Sequence, residues 1–296
     1  MTTPATPPGH GLDVWADVVR AAPPVTPEDL ADTGGVTLVV SAHPDDETLG
    51  AGRLLAHWAR TGLRLRAACL TRGDACFDHL ADVLRDLDAP ADLLPGMAGR
   101  REAEWHAAME ALGVHDRHPH GLPDGGLADD DALDVLRRVA DDVTTVLAPW
   151  PHDPHPDHRA AGRAGARLAA ELGARFCSYP VWMTYWGDPA EADPGLRRVA
   201  ADPADDHARE AALAAFVSQL EPPTHGIGPI VPPEMLAHHD TPLLHVPTAH
   251  HTPDDAHDDT LGTTPHDTPH STPGTTHVDD DGPAPAHGAP TPKEPR

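Results

Sequence analysis

Two stretches of the chain share one pattern, in which a short apolar run stops at a polar loop and an amphipathic or alanine-rich segment follows. The first stretch covers residues 36 to about 60, and the second covers residues 144–172. Short β-branched runs favour buried strands, whereas leucines and alanines at helical spacing favour helices that pack on a sheet. Each stretch is therefore predicted to form a strand, a loop and a helix.

Other segments carry the signals of single elements. The sequence predicts strands at 63–70 and 174–181 and helices at 13–21, 100–112, 129–141 and 210–220. Strands that alternate with helices are typical of a parallel sheet whose connections cross over as helices. The predicted fold is α/β, a doubly wound, mostly parallel sheet flanked by helices, with 174–181 as its last core strand.

Composition divides the chain into three parts. Residues 1–34 are rich in proline and form a predicted N-terminal extension, and residues 35–237 carry the apolar content of one folded domain. From residue 238 to residue 296 the sequence consists mostly of Thr, Pro, His, Asp, Ala and Gly. Such a segment has few large apolar side chains to offset the entropy lost on folding, so we predict a disordered tail.

Charge and cysteine content restrict the partners and the compartment. With 296 residues and a formal net charge of −26, the chain should repel nucleic acid and anionic membranes. Its three cysteines, without a basic and apolar leader, argue against a disulfide framework and favour the reducing cytoplasm. No apolar run is long enough to span a bilayer, so we expect no membrane insertion. Oligomeric state cannot be read from the sequence.

Histidines and aspartates are concentrated in the two loops that follow the strands at 36–41 and 144–148. These residues are His43, Asp45, Asp46, His152, Asp153, His155, Asp157 and His158. The carboxyl ends of parallel strands meet at one edge of a sheet, so the two loops are expected to lie together. Imidazoles and a carboxylate form the ligand set of catalytic zinc, which keeps one position open for water. Iron(II) also suits two histidines and one carboxylate.

A zinc ion held by these loops would allow hydrolysis at neutral pH. Zinc lowers the pKa of a bound water to about 7 and polarises a carbonyl oxygen. A carboxylate beside the ion can take the proton from water, and the adjacent Asp45 and Asp46 can divide the ligand and base roles between them. A nearby histidine can then stabilise the oxyanion or protonate the departing nitrogen.

The two loops resemble the paired signature of the LmbE/PIG-L family of zinc-dependent N-deacetylases, which act mainly on N-acetylglucosamine-type amides. The segments that carry the resemblance are His43-Pro44-Asp45-Asp46-Glu47, His155-Pro156-Asp157-His158, Arg101-x-x-Glu104 with Leu112-Gly113, Leu122-Pro123-Asp124-Gly125, and Ser218-Gln219. Together they span residues 36–220. The resemblance implies a Rossmann-like fold, in agreement with the alternation of strands and helices.

The resemblance also implies a role for each matching residue. The residues that it assigns to zinc are His43, Asp46 and His158. The residues that it assigns to catalysis or substrate are Asp45 as general base, His155 as acid or oxyanion partner, Asp157 as the group that orients His155, and Arg101 and Asp124 toward the substrate's hydroxyls. One departure is that an acidic position expected near residues 243–245 is absent from this chain.

Simpler structural roles exist for several of these residues. An aspartate in a strand-to-helix turn can cap the helix, and Arg101 with Glu104 can form a surface pair worth a few tenths of a kcal/mol. Asp124 follows a proline and precedes a glycine, as in ordinary turns. The aromatic run 179–186 is predicted to be a core strand and its exit loop rather than a sugar platform.

The sequence therefore predicts a zinc hydrolase that removes an acetyl or similar acyl group from a small amino-sugar amide. Two alternatives remain open at this stage. One is an amidase that acts on a mycothiol-type conjugate or on a glycosylated secondary metabolite, since the same site suits any accessible amide. The other is a non-catalytic metal-binding protein whose His-rich and Asp-rich tail buffers zinc or nickel.

Overall fold

A sheet of eight strands forms the centre of the computed structural model, which describes residues 3–87, 89–200 and 202–247. The strands are β1 (Pro24–Val25), β2 (Val36–Ser41), β3 (Arg64–Thr71), β4 (Asp116–Leu122), β5 (Val143–Pro149), β6 (Arg175–Tyr179), β7 (Leu196–Val199) and β8 (Leu243–His245). Their order across the sheet is β1-β7-β8-β6-β5-β2-β3-β4. β8 runs antiparallel to β6 and β7, and the other pairings are parallel. The predicted α/β class and mostly parallel sheet are confirmed.

Helices cover both faces of this sheet. They are α1 (Leu12–Ala21), α2 (Asp46–Arg60), α3 (Ala81–Asp86), α4 (Met97–Ala111), α5 (Asp129–Arg137), α6 (Pro156–Leu172), α7 (Met183–Trp186), α8 (Pro203–Leu213), α9 (Val217–Leu220) and α10 (Pro233–Ala237). One apolar core unites residues of α2, α4 and α8, and a second unites residues of α5 and α6. Val39 of β2 belongs to the first core, whereas Leu38 and Val40 belong to the second. Successive side chains of a strand point to opposite faces, so β2 is buried on both.

The order of the strands places the two polar loops side by side. β2 pairs with β3 on one side and with β5 on the other, in parallel on both. The chain therefore leaves β2 toward one side of the sheet and returns to its other side for β5, which is the switch point at which open α/β sheets bind ligands. The loop before α2 and the loop before α6 both open at this point.

Four strands were not predicted, one of them the two-residue β1. β4 lies at an edge of the sheet and has mostly exposed or half-buried side chains, among them two histidines and a proline. β7 and β8 follow the segment expected to be the last core strand, and they contain four and three residues. Edge strands and very short strands lack the apolar run by which strands are recognised in a sequence. The helix expected at 210–220 is also divided, into α8 and α9.

The predicted domain limits are too narrow. β8 lies beyond residue 237 and pairs with both β6 and β7, so the folded domain continues at least to residue 245. On the N-terminal side, β1 pairs with β7, and Trp15 of α1 is 2% exposed and packs with Trp150. Residues 3–34 therefore contribute a strand and a packed helix to the same sheet. The remainder of the predicted tail, from residue 248, lies outside the described residues.

Within the described part of the chain, no helix combines the length and the apolar character that crossing a lipid bilayer requires.

Candidate active site

The turn between β2 and α2 is fixed by Asp46, the first residue of the helix. Its Oδ2 accepts hydrogen bonds from the backbone N–H groups of Ala42, at 3.0 Å, and His43, at 2.8 Å. Asp45, which directly precedes Asp46, has a φ of 139°, which is unusual for a residue other than glycine. A backbone in this region costs roughly 1–3 kcal/mol and persists only where the surroundings impose it. The strand end, the turn and the helix start therefore hold Asp45 in a strained conformation.

The three residues assigned to zinc converge on one point. His43 Nδ1 and His158 Nε2 are 3.1 Å apart, His158 Nε2 is 3.1 Å from Asp46 Oδ1, and His43 Nδ1 is 3.5 Å from Asp46 Oδ2. A tetrahedral ion with bonds of 2.0–2.1 Å separates its ligand atoms by about 3.3–3.4 Å. His43 Nδ1, His158 Nε2 and Asp46 Oδ1 are thus the atoms that suit a zinc ion, whereas the 3.5 Å distance is to Asp46 Oδ2, which accepts from two backbone N–H groups. Nitrogens of His43, His155 and His158 also lie close enough together to hold an ion.

Each imidazole of this group presents one nitrogen to the centre and the other to a carboxylate. His158 Nδ1 lies 3.1 Å from Asp153 Oδ1, and Asp153 Oδ2 accepts hydrogen bonds from the backbone N–H groups of Val181 and Trp182. His43 Nε2 lies 3.1 Å from Asp124 Oδ1 and 3.3 Å from Asp157 Oδ2. Carboxylates in such positions fix the tautomer and orientation of metal-binding histidines.

A second set of potential ligands, His43, Asp124 and Asp157, lies on the Nε2 side of His43. Both of its carboxylates are already held by backbone donors. Asp124 Oδ2 accepts from Ala75 N at 2.7 Å, and Asp157 accepts from Gly125 N and Leu127 N at 2.8 and 3.1 Å. These bonds hold the two carboxylates beside His43 Nε2, where they can orient this ring.

Negative charge dominates the electrostatics of this cluster. Burial lowers the pKa of His158, but the carboxylates of Asp46 and Asp153 outweigh it and raise the value to about 9. For His43, likewise, Asp46 and the bonds to Asp124 and Asp157 outweigh burial and raise the pKa well above its usual value. Burial raises the pKa of Asp124, but the bond with His43 and its charge lower it to about 2. A site that stabilises protons this strongly also favours a divalent cation.

Asp45 is held by Arg101 beside the metal group. Arg101 Nη2 donates to Asp45 Oδ2 at 3.0 Å and to the Pro44 carbonyl at 2.8 Å, and Nη1 donates to the Gly73 carbonyl at 2.8 Å. Arg101 is 3% exposed and does not form the surface pair with Glu104 considered from the sequence. Burial raises the pKa of Asp45 and Arg101 lowers it, with a balance at about 7. Asp45 is thus a buried carboxylate with one oxygen held by a buried guanidinium.

His155 caps α6 and stands over the two metal-facing histidines. Its ring centroid is 4.9 Å from that of His43 and 4.7 Å from that of His158. Burial, together with the charges of His158 and His43, lowers its pKa to about 3, so the ring is neutral. Its Nδ1 accepts from Asp157 N at 3.3 Å, while the Asp157 side chain contacts His43. Asp157 therefore reaches His155 through its backbone and His43 through its carboxylate.

Two residues of the site's support were not assigned a role from the sequence, and a third, Glu104, was considered only together with Arg101. Asp153 was recognised as one of the loop carboxylates but received no role, although it holds His158. Gly73 has a φ of +61°, and a Cβ at this position would collide with the Arg101 guanidinium. Glu104 accepts from Ser218 N at 2.9 Å and from Ser218 Oγ at 2.6 Å, which joins α4 to α9.

The aromatic run after β6 forms part of the core, as predicted. Tyr179 is fully buried and its hydroxyl donates to the Val40 carbonyl at 2.7 Å. Trp182 and Trp186 stack on each other with centroids 4.1 Å apart.

The fold and the site together define an α/β protein with a histidine and aspartate cluster at the carboxyl edge of a parallel sheet. Residues 38–169 match the family model described as PIG-L: GlcNAc-PI de-N-acetylase. This range runs from β2 to α6 and contains His43, Asp46 and His158. Over this range the chain is therefore similar to the PIG-L/LmbE family, as the motifs indicated.

Several relatives share this domain. A 1D-myo-inositol 2-acetamido-2-deoxy-alpha-D-glucopyranoside deacetylase from Salinispora arenicola is 31% identical over 50% of this chain and 54% of its own length. The protein of the same name from Kineococcus radiotolerans is 30% identical over 55% of each chain. A probable N-acetyl-alpha-D-glucosaminyl L-malate deacetylase 2 from Bacillus cereus is 29% identical over 46% of this chain and 61% of its own. The chain spans about half the length of the first two of these curated relatives.

Solved structures of similar proteins include the conserved protein TT1542 from Thermus thermophilus, with 28% identity and a TM-score of 0.47 over 69% of this chain and 84% of that one. Another is N,N'-diacetylchitobiose deacetylase from Pyrococcus horikoshii, with 18% identity and a TM-score of 0.46 over 69% of this chain and 78% of that one.

Proposed function

We propose that this protein is a metal-dependent deacetylase that hydrolyses the amide of a small N-acetylglucosamine-type amino sugar. The observation that carries the proposal is the convergence of His43, Asp46 and His158 next to the strained, Arg101-held carboxylate of Asp45. The names of the relatives, which describe deacetylases of glucosamine derivatives, support the substrate class.

Zinc is the ion that we assign to His43, Asp46 and His158, with iron(II) as the alternative, because two imidazoles and one carboxylate suit both. When bound, such an ion supplies positive charge that polarises the amide carbonyl and makes water more acidic. The protein's part is to hold the three ligands, and Asp153, Asp124 and Asp157 keep the two imidazoles in orientation.

Asp45 is proposed as the general base. Arg101 engages its Oδ2, so we assign Oδ1 to take the proton from the attacking water. The strained backbone and the hydrogen bond to Arg101 keep this carboxylate from turning away. After attack, the same proton can pass from Asp45 to the departing amine, so the reaction consumes water and releases the amine and acetate with no net gain of protons by the enzyme.

His155 is proposed as the donor to the oxyanion. Because its Nδ1 accepts a hydrogen bond from Asp157 N, the neutral ring carries its proton on Nε2. A neutral imidazole with N–H on Nε2 can donate to an oxygen that gains negative charge. The geometry thus favours the oxyanion role over the acid role, and it gives Asp157 the task of fixing the tautomer through its backbone.

Arg101 and Asp124 were expected to face the substrate's hydroxyls. Since Arg101 already bonds to Asp45, Pro44 and Gly73, we propose that it positions the base and does not contact sugar. Asp124 bonds to Ala75 N and faces His43, so we propose that it orients His43.

The alternative functions differ in how well this arrangement supports them. A metal store needs ligands but no strained carboxylate beside them, so the position of Asp45 favours catalysis. An amidase for a mycothiol-type conjugate or a glycosylated secondary metabolite would use the same chemistry, and only the substrate distinguishes it.

The test is amine release from a panel of amides by the zinc-loaded full chain. The panel contains N-acetylglucosamine, its glycoside with inositol, N,N'-diacetylchitobiose, and a longer-acyl conjugate. Release from one or more of the acetylated sugars is the expected result. Release from the longer conjugate alone would favour the amidase, and no release in spite of a bound metal ion would contradict both.

A further inference from the structure

A second cleft lies between α2, α8, the exit of β6 and the segment 238–243. Its walls include Gly52, Arg53, Pro180, Thr184, Arg209 and His239. None of its lining residues belongs to the group around His43, Asp46 and His158. The proposed deacetylase activity assigns no role to this cleft.

Arg209 is the feature of the cleft that requires an explanation. The residue is 4% exposed, and its Nε and Nη2 are buried without a hydrogen-bond partner. Burial and the charge of Arg53 lower its pKa to about 10, so the side chain is still charged at neutral pH. A buried charge without a partner is destabilising, so proteins normally pair such groups.

The neighbouring groups do not neutralise this edge of Arg209. Arg53 is the nearest like charge, and its own Nε is paired with Asp206 while its Nη1 donates to the His239 carbonyl at 2.8 Å. Asp240, Asp206 and Glu210 act on Arg209 through their charges alone. Arg53 and Arg209 thus stand among three carboxylates, none of which forms a hydrogen bond with Nε or Nη2 of Arg209.

The two free atoms are the right ones for an oxyanion. Nε and Nη2 form one edge of the planar guanidinium, and this edge donates two parallel hydrogen bonds to a carboxylate or a phosphate. His239 provides a second polar contact, because it is 8% exposed and its Nε2 has no partner. Burial and the charge of Arg209 lower the pKa of His239 to about 3, and the ring is hydrogen-bonded to the Val181 backbone, so Nε2 of the neutral ring can accept from a protonated oxygen.

We propose that this cleft binds a small oxyanion of the phosphate or carboxylate class, held by the Nε and Nη2 edge of Arg209 and contacted by His239. The general field of the molecule repels anions, so occupancy depends on this buried guanidinium rather than on surface charge. The site is separate from the metal group, and its existence does not depend on the deacetylase reaction.

The test is thermal unfolding of the metal-loaded full chain in increasing inorganic phosphate at constant ionic strength. The parent is compared with Arg209→Gln and with Arg167→Gln, a control whose exposed side chain pairs with Asp130 on the surface. A ligand that binds the folded state raises the Tm in proportion to the logarithm of its concentration above its Kd. We expect this rise in the parent and in the control but not in Arg209→Gln.

Phosphate bound at the metal group would raise the Tm of all three proteins alike, and equal shifts would overturn the proposal.

Parallel titrations with acetate and with sulfate identify the chemical class of the oxyanion. A rise in Tm with acetate indicates that the cleft binds carboxylates. A rise with phosphate but not with sulfate indicates a ligand that also donates a proton to His239.

Arg209→Lys keeps the proposal testable if Arg209→Gln fails to fold. Lysine retains the charge but not the planar edge, so phosphate affinity measured by titration calorimetry should fall roughly tenfold or more. Parental affinity in this variant would overturn the assignment of the guanidinium edge.

Discussion

At the scale of single residues, the site depends on contacts that cross long sequence separations. The ligands could be predicted because His43, Asp46 and His158 belong to two compact motifs at strand ends. Asp153 and Gly73 could not, because their roles arise only when β6 and α4 pack beside the loops. Arg101 shows the same limit: its spacing from Glu104 indicated a shared helix face, yet its guanidinium is buried against Asp45.

Arg101 should stabilise the folded protein in addition to holding the Asp45 carboxylate in position. Arg101→Met removes three hydrogen bonds and leaves Asp45 buried without its cation, so we expect the free energy of unfolding to fall by about 2–4 kcal/mol. Urea unfolding measures this change in the free energy of unfolding. Arg167→Met on the exposed face of α6 is the control, and it should change stability by less than about 0.5 kcal/mol. Equal changes in the two variants would mean that the buried hydrogen bonds of Arg101 do not stabilise the protein more than a surface ion pair does.

Gly73 should be required for the position of Arg101. Gly73→Ala places a methyl group against the guanidinium, whereas Gly173→Ala has a nearly identical φ of +63° and nothing within 4 Å. Because alanine is strained at a positive φ, both changes should lower the free energy of unfolding by about 1–2 kcal/mol. Gly73→Ala should lower the free energy of unfolding further than Gly173→Ala does, as measured by urea unfolding. It should also reduce deacetylation, as measured by amine release. The account of Arg101 fails if the two variants match in both measurements.

Asp153 should tune metal affinity without binding the ion. Asp153→Asn weakens the hold on His158 Nδ1, so metal affinity should fall by about 10–100-fold, as is usual for such outer carboxylates. Competition with a chromophoric chelator measures this affinity, and Asp130→Asn, on the surface of α5, provides the control. An unchanged affinity in Asp153→Asn would exclude this role.

At the scale of elements, strong periodicity made β2 with α2 and β5 with α6 predictable, and these four elements build the site. The missed elements lack such a signal. β4 is a half-exposed edge strand with polar side chains, and β8 contains three residues. Their positions are set by pairing with strands that lie far away in the chain, which no local pattern reports. The predicted limit at residue 237 was wrong for this reason.

β8 should contribute measurably to stability. Leu243 and Leu244 are 4% and 1% exposed, and burying two leucines is worth about 3–6 kcal/mol. A chain that ends at residue 247 should therefore be more stable by this amount than one that ends at residue 237. Urea unfolding of the two truncated chains decides the matter, since equal stability would show that β8 is dispensable.

At the scale of the whole molecule, charge is distributed in a way that composition does not reveal. The chain is strongly acidic, and its central cluster gathers Asp45, Asp46, Asp124, Asp153 and Asp157 around two histidines at the carboxyl edge of the sheet. A divalent cation would neutralise part of this charge. The sheet order explains how loops more than a hundred residues apart meet there, because β2 and β5 are neighbours.

The measurement that tests the central claim most directly compares amine release and metal content in the parent protein and in Asp45→Asn. Asparagine keeps the size and shape of the aspartate side chain, but it cannot take a proton. The account predicts that metal content is unchanged while amine release falls by about 10²–10⁴-fold, the usual contribution of a general base. Amine release at the parental rate with unchanged metal content would contradict the assignment of Asp45 as the base.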